Sequence, residues 1–182
     1  MSATKQFQAL NIAVLTVSDT RNEKNDTSGL ALSDALKEVG HTLCDKQIVI
    51  DDIYKIRAIT SNWVASDDIQ VILITGGTGF TARDSTPEAI KPLLDKTVEG
   101  FGELFRQVSF DEIGTSTIQS RALAGMANKT IIFCMPGSTG ACTTAWNKII
   151  KQQLDATHKP CNFVAQLKQV NDVKINTCQS RG

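Results

Sequence analysis

Aromatic residues are scarce. Phe, Tyr and Trp make up 5% of the 182 residues. A surface that stacks unpaired bases needs several such rings, so single-stranded nucleic acid is disfavoured as a partner. No Lys/Arg run exceeds two residues, and 19 basic side chains balance 19 acidic ones. The one-signed electrostatic footprint of a nucleic-acid binder is therefore missing. No segment approaches the roughly 18 consecutive apolar residues of a membrane helix. The opening stretch Met-Ser-Ala-Thr-Lys-Gln-Phe-Gln holds no apolar run of signal-peptide length. The five cysteines form no Cys-x-x-Cys and have no His at zinc spacing. Odd in number and scattered, they read as free thiols of a reducing compartment, and a cytoplasmic protein is the expectation. Cys134 sits in an apolar run and is expected in the core. His41 and His158 stand alone, so no Ser-His-Asp or Cys-His constellation is visible. Trp63 and Trp146 fall in helical stretches and read as packing residues.

What is present is an alternation of strands and helices. Leu10 to Val17 is nearly all apolar and reads as a first strand. Leu30 to Val39 has Leu32, Ala35, Leu36 and Val39 at helical spacing, with Gly40 as the stop. Leu43 to Ile50 is a second strand, and a helix runs from Ile53 to about Ser66. Residues 69–74 form a third strand, Pro87 to about Asp95 a helix, and Thr130 to Cys134 a fourth buried strand. Ala141 to Leu154 is a helix. Between them, residues 97–128 read as broken helix punctuated by Gly100, Gly102, Gly114 and Gly125. This order predicts a single α/β domain, a three-layer αβα sandwich around a mainly parallel sheet. Residues 1–9 are expected to be an arm, 10–165 the domain, and 166–182 a surface-bound or frayed tail.

The most informative stretch follows the third strand: Thr75-Gly76-Gly77-Thr78-Gly79-Phe80-Thr81-Ala82-Arg83-Asp84. Its glycines permit positive φ and let a ligand approach the main chain with no Cβ in the way. Bare N–H groups at the carboxyl end of a strand are a common seat for a phosphate. A plain tight turn is the bland alternative, but three glycines, three threonines and an acid exceed what a turn requires. No Gly-Lys-Ser/Thr follows, so this is not a P-loop. Gly77-x-Gly79-x-x-Ala82 matches the dinucleotide fingerprint weakly, and Glu99 falls where a helix, not a strand end, is expected. Asp52 and Asp84 are the acidic candidates. Each also precedes a helix, where capping is the ordinary use of Asp. Should both meet at a phosphate, they would suit Mg²⁺. Met135-Pro136-Gly137-Ser138 is either a simple turn or a second anion-facing nest.

Taken together, Ile74-Thr75-Gly76-Gly77-Thr78-Gly79, Arg83-Asp84-x-Thr86-Pro87-Glu88, Glu99-Gly100-Phe101-Gly102-Glu103, Ser120-Arg121 and Met135-Pro136-Gly137-Ser138 resemble the MoaB/Mog family of molybdenum cofactor biosynthesis. The likeness covers roughly residues 10–165. Glu112-Ile113-Gly114-Thr115-Ser116-Thr117 and Pro160-Cys161-Asn162-Phe163 look like its B branch. The resemblance implies a molybdopterin-binding three-layer fold assembled as a homotrimer or a homohexamer. It also implies an adenylyltransferase chemistry, in which the terminal phosphate of molybdopterin attacks the α-phosphate of ATP and pyrophosphate leaves. On that model Thr75, Gly76, Gly77, Thr78 and Gly79 cradle the phosphate. Asp52 and Asp84 are the catalytic and Mg²⁺-organising acids. Ser28 and Gly29 match the family's Asp-x-Ser-Gly, and Pro136, Gly137 and Ser138 line the pterin side. A non-catalytic molybdopterin-binding or carrier protein of the same pathway is the alternative.

Overall fold

The computed structural model describes residues 6–170. Parts of the expected arm and tail, residues 1–5 and 171–182, lie outside the described residues. Six strands form one sheet in the order β2-β1-β3-β6-β5-β4. They are β1 (Asn11–Val17), β2 (Thr42–Val49), β3 (Val71–Thr75), β4 (Lys96–Thr97), β5 (Leu123–Ala127) and β6 (Thr130–Met135). β2, β1, β3 and β6 are mutually parallel, whereas β5 runs antiparallel to both β6 and β4. The expected mainly parallel α/β sandwich is therefore present, with an antiparallel flank.

Strand alternation distributes the core between two layers. Ile12, Val14, Leu73, Ile131 and Phe133 face one side, where they meet Leu32 and Leu36 of α1 (Thr27–Glu38), Phe101 and Phe105 of α4 (Glu99–Ile113) and Cys142 and Ala145 of α5 (Thr139–Ala145). Ala13, Leu15, Ile72, Ile74 and Cys134 face the other, against Ile56 and Trp63 of α2 (Ile53–Ala65) and Ala89 and Ile90 of α3 (Thr86–Ile90). All of β3 is buried, as befits a central parallel strand covered on both faces. Trp63 and Trp146 pack in the core, and Cys134 is fully buried. α5 continues through a π-helical segment (Trp146–Ile150) into a last turn (Lys151–Gln153).

The largest departure from the sequence reading lies in residues 97–128. α4 and a 3₁₀ segment (Gly114–Gln119) fill its middle, but Lys96–Thr97 and Leu123–Ala127 are paired strands. β5 reads Leu-Ala-Gly-Met-Ala, with no β-branched residue to announce it. Gly125 is not helix punctuation. A Cβ there would stand 2.5 Å from Leu94 Cδ1 and 2.7 Å from the Lys96 carbonyl, so glycine permits the edge pairing. α1 starts at Thr27, three residues earlier than expected, because the Asp26 carboxylate accepts from Gly29 N and caps it. Of the expected tail, residues 166–170 are docked. Leu167 is buried, and Lys168 Nζ donates to the Val64 and Ser66 carbonyls at 3.0 and 2.6 Å.

His41, with no partner visible in sequence, acquires one in the fold. It is 5% exposed, and its Nδ1 accepts from Leu10 N at 3.2 Å. The Phe7 and Trp146 rings lie 5.2 and 6.3 Å away. Burial lowers its pKa to about 4 from 6.5, and the Asp155 charge opposes this only weakly. The unfolded chain thus binds a proton that the folded one rejects. Stability from this group is complete above about pH 6.5 and falls as the pH drops toward about 4, by about 3 kcal/mol at most. We expect His41→Gln to flatten that segment of the stability curve in urea melts taken between those pH values. An unchanged slope would rule out His41 as its source.

Candidate functional site

The sheet register lines up Thr16 of β1, Thr75 of β3 and Met135 of β6 at one edge. The segments leaving β1 and β3 go to opposite faces, into α1 and α3 respectively. Between them opens the crevice where open α/β sheets bind ligands. It is a cavity of about 440 Å³, lined by residues 16–18, Arg21, Ser28, residues 75–79, Asp84, Pro136 and Gly137, and closed by Ile113 at the end of α4, Ser116 and Gln119 of the 3₁₀ segment, and Ser120. Three loops expected to converge thus do converge.

The glycine loop is shaped by close approaches. Gly76 (φ +101°) passes so near the Val17 carbonyl that no Cβ fits, and a Cβ on Gly77 (φ +64°) would stand 2.5 Å from Asp51 Oδ2. Gly76 does not offer its N–H to a ligand, since that group donates to the Met135 carbonyl at 3.0 Å. Among the described residues the N–H groups of Gly77 and Thr78 have no protein acceptor. The cradle is therefore narrower than the sequence suggests. Thr75 stands beneath it, its hydroxyl 3.0 Å from the Pro136 carbonyl and 3.1 Å from Cys142 Sγ. That links the first glycine loop to the Pro136-Gly137 loop. Burial pushes the Cys142 thiol up to about 11, so it is a packing group and not a nucleophile.

Arg121 clamps the loop from outside. Its guanidinium donates to the Gly79 carbonyl at 2.7 Å and the Asp84 carbonyl at 2.8 Å, pairs with Glu88, and lies over the Phe80 ring. Arg83 makes a two-pronged bond to Asp19 at 2.7 and 2.9 Å, tying the glycine loop to the β1 loop.

The acids separate by role. Asp52 caps α2, its Oδ1 accepting from Tyr54 N and Lys55 N at 2.9 and 3.0 Å. Its neighbour Asp51 turns to the glycine loop, where Oδ1 accepts from both the N–H and the hydroxyl of Ser85. Burial pushes the Asp51 carboxyl above its ordinary range, and the negative Asp84 and Asp19 add to the rise against the Ser85 hydrogen bonds. Asp84 lines the pocket, and its Oδ2 accepts from Thr81 N and Oγ1 at 2.8 and 2.6 Å. Burial pushes it up, but the Thr81 donors and the Arg121 charge more than offset that and hold it low. Asp51 Oδ2 has no protein donor among the described residues, and the Gly79 N–H adds to the Thr81 donors that hold Asp84 low. Two carboxylates of this kind suit Mg²⁺, which binds through one or two carboxylates plus phosphate oxygens.

Ser28 lines the pocket, and Gly29 lies beneath it, where any Cβ would strike Asp26. Ser138 caps α5 by accepting from Ala141 N at 3.1 Å and does not line the cavity. Two residues the sequence reading passed over matter most here. Asp26, its side chain fully buried, is paired with Lys46 Nζ at 2.8 Å and bonded to the Thr16 hydroxyl at 3.0 Å. Burial raises its pKa, but Lys46, the Gly29 N–H and the Thr16 hydroxyl outweigh this and keep it ionised and low. Arg21 reaches across the pocket to Ser28 Oγ (2.9 Å) and the Gly137 carbonyl (3.1 Å). Arg21 Nη1 also stands 3.8 Å from Asp26 Oδ1, so Lys46 and Arg21 share that one carboxylate and together leave a net positive charge at the cavity edge. Asp26-Thr27-Ser28-Gly29 carried the signal for the first, an Asp at a helix N-cap position. For Arg21 the only cue was a basic residue just past a strand end.

A glycine loop with free amides at the switch point of a sheet covered on both faces is the arrangement of a ligand-binding α/β domain. Residues 13–156 match the family model described as "Probable molybdopterin binding domain", and the chain belongs to that family. It is 60% identical over 164 residues to molybdenum cofactor biosynthesis protein B of Escherichia coli K12, covering 90% of this chain and 96% of that protein. The protein B of Bacillus cereus is 45% identical over 142 residues, covering 78% and 84%. A crystal structure of a molybdenum cofactor biosynthesis protein B superposes with a TM-score of 0.79 at 44% identity, covering 81% of this chain and 92% of that one. The tungsten cofactor synthesizing protein MoaB from Pyrococcus furiosus superposes at 0.74 and 36%, covering 81% and 93%. Among the described residues no helix is long and apolar enough to cross a membrane.

Proposed function

We propose that this chain binds molybdopterin through its terminal phosphate and adenylylates that phosphate with Mg-ATP, releasing pyrophosphate. The observation that carries the reading is the juxtaposition, at one sheet edge, of unpartnered Gly77 and Thr78 amides with the Asp51 and Asp84 carboxylates. In the reaction an oxygen of the molybdopterin phosphate forms a bond to the α-phosphorus of ATP as the bond to pyrophosphate breaks. Such a transfer depends on bringing two anions together and neutralising the charge that spreads over the moving group. The Gly77 and Thr78 amides and Arg21 would hold the acceptor phosphate. Arg121 would keep the loop in the conformation that presents those amides. Asp51 and Asp84 would hold Mg²⁺, which supplies positive charge to the phosphates of ATP. In this reading Asp51 takes the role that the family resemblance implied for Asp52.

Assembly into a homotrimer or homohexamer belongs to the same reading. It is supported by Leu104, Phe110 and Ile118, large apolar side chains left exposed on α4 and the turn after it. The deciding experiment incubates purified protein with ATP and molybdopterin, separately and together, across a magnesium series. Pyrophosphate release that needs all three components is the expected result. Tight pterin binding with no pyrophosphate at any magnesium level would leave a carrier in place of an enzyme.

A further inference from the structure

The two walls of the pocket differ in chemistry. The glycine loop, Arg21 and the ends of β1 and β6 form a wall of amides and positive charge. The opposite wall is a short stripe from the end of α4 and the 3₁₀ segment after it: Ile113, Ser116 and Gln119. Its geometry follows from the backbone. Gly114 (φ +56°) ends α4, and residues 114–119 continue as a 3₁₀ helix. With three residues per turn, side chains three apart eclipse one another, so 116 and 119 stand together on one face. Thr117, on another face, is buried and anchors the turn by donating to the Arg106 carbonyl at 3.1 Å. Among the described residues neither the Ser116 hydroxyl nor the Gln119 carboxamide makes a hydrogen bond. Two adjacent polar groups without a partner therefore face the cavity across from its anion-binding side. Ile113 offers an apolar neighbour beside them.

Resting on the functional reading above, we infer that Ser116 and Gln119 read the hydrogen-bonding edge of the heterocycle whose phosphate sits on the glycine loop. A carboxamide presents an acceptor and two donors, and a hydroxyl presents a donor and two acceptors. That set complements an amino–oxo pyrimidine edge, where donors and acceptors alternate. The anion wall recognises any phosphate; this wall sets which phosphorylated ring is accepted. It is a specificity element, separable from the machinery that handles charge.

The test titrates molybdopterin by fluorescence into the parent protein, Gln119→Ala and the Ser116→Ala/Gln119→Ala double variant. Inorganic phosphate serves as the competing probe of the opposite wall. Both side chains are exposed, so the unfolding midpoints should match the parent. The molybdopterin Kd should rise about tenfold in the single variant and further in the double one, while the phosphate inhibition constant stays put. Variants that bind molybdopterin as the parent does would overturn the inference, as would equal weakening toward phosphate. A parent that binds phosphate but no molybdopterin would remove the functional reading and this inference with it, and is told apart by the parent titration alone.

Discussion

Asp51→Asn is expected to lower the rate of pyrophosphate release about 100-fold or more, and Asp52→Asn to leave it within a few-fold of the parent. The contrast comes from what each carboxylate does. Asparagine at 51 still accepts from the Ser85 N–H and hydroxyl, so the loop contact survives. The charge beside Gly77 does not, and losing a charged group that stabilises phosphoryl transfer typically costs on the order of 10²-fold or more. At 52 the oxygen serves as the α2 N-cap, a place where Asn is as good as Asp. The same assignment gives the pH profile its sign. Asp51 has a raised pKa and Asp84 a lowered one. In the metal-free protein Asp51 is protonated first as the pH falls, so the acidic limb of kcat/KM at limiting Mg²⁺ should lie above the ordinary carboxylate range and disappear in Asp51→Asn. Rates of the three proteins at low Mg²⁺ and low substrate, taken from neutral pH downward, supply the check. Equal losses at 51 and 52 would return the role to both.

The second large effect falls on stability. Asp26→Ala removes the α1 N-cap and leaves Lys46 and the Thr16 hydroxyl without their buried acceptor. Losing a cap costs about 1 kcal/mol, and breaking a buried ion pair from one side costs about 3–5 kcal/mol. Lys46 keeps 24% of its side chain exposed and can turn partly to water. A total of about 3 kcal/mol is therefore expected, read as a shift in the urea midpoint. Asp34→Ala, on the exposed face of the same helix, should stay within about 0.5 kcal/mol. A small effect at Asp26 would mean that the ionised carboxylate contributes little beyond what water supplies in the unfolded chain.

Much of the architecture was written in local pattern. Apolar runs at 10–17 and 130–134 and helical spacing at 32–39 mark elements whose burial depends only on their own residues and a neighbour of the right kind. β5 could not be read that way, because Leu123 to Ala127 becomes a strand through pairing with β6 and β4 and not through propensity. The glycine loop announced itself, since its composition exceeds what a turn needs. Which of its amides are free did not, because Gly76 N–H is taken by Met135, 59 residues along the chain. Asp51 and Asp52 are adjacent acids at a strand end, and no periodicity decides which one turns toward the loop. The strand leaves at Val49, and the packing of Ser85 against the second strand-end loop makes the choice. Arg21 and Asp26 were hidden for a similar reason. Their partners, Gly137 and Lys46, come from the loop after β6 and from β2.

A crystal structure with molybdopterin bound decides most directly. The terminal phosphate should lie within hydrogen-bond distance of Gly77 N and Thr78 N, with Arg21 on the same group. A phosphate seated elsewhere, with those two amides closed off by the chain itself, would contradict it.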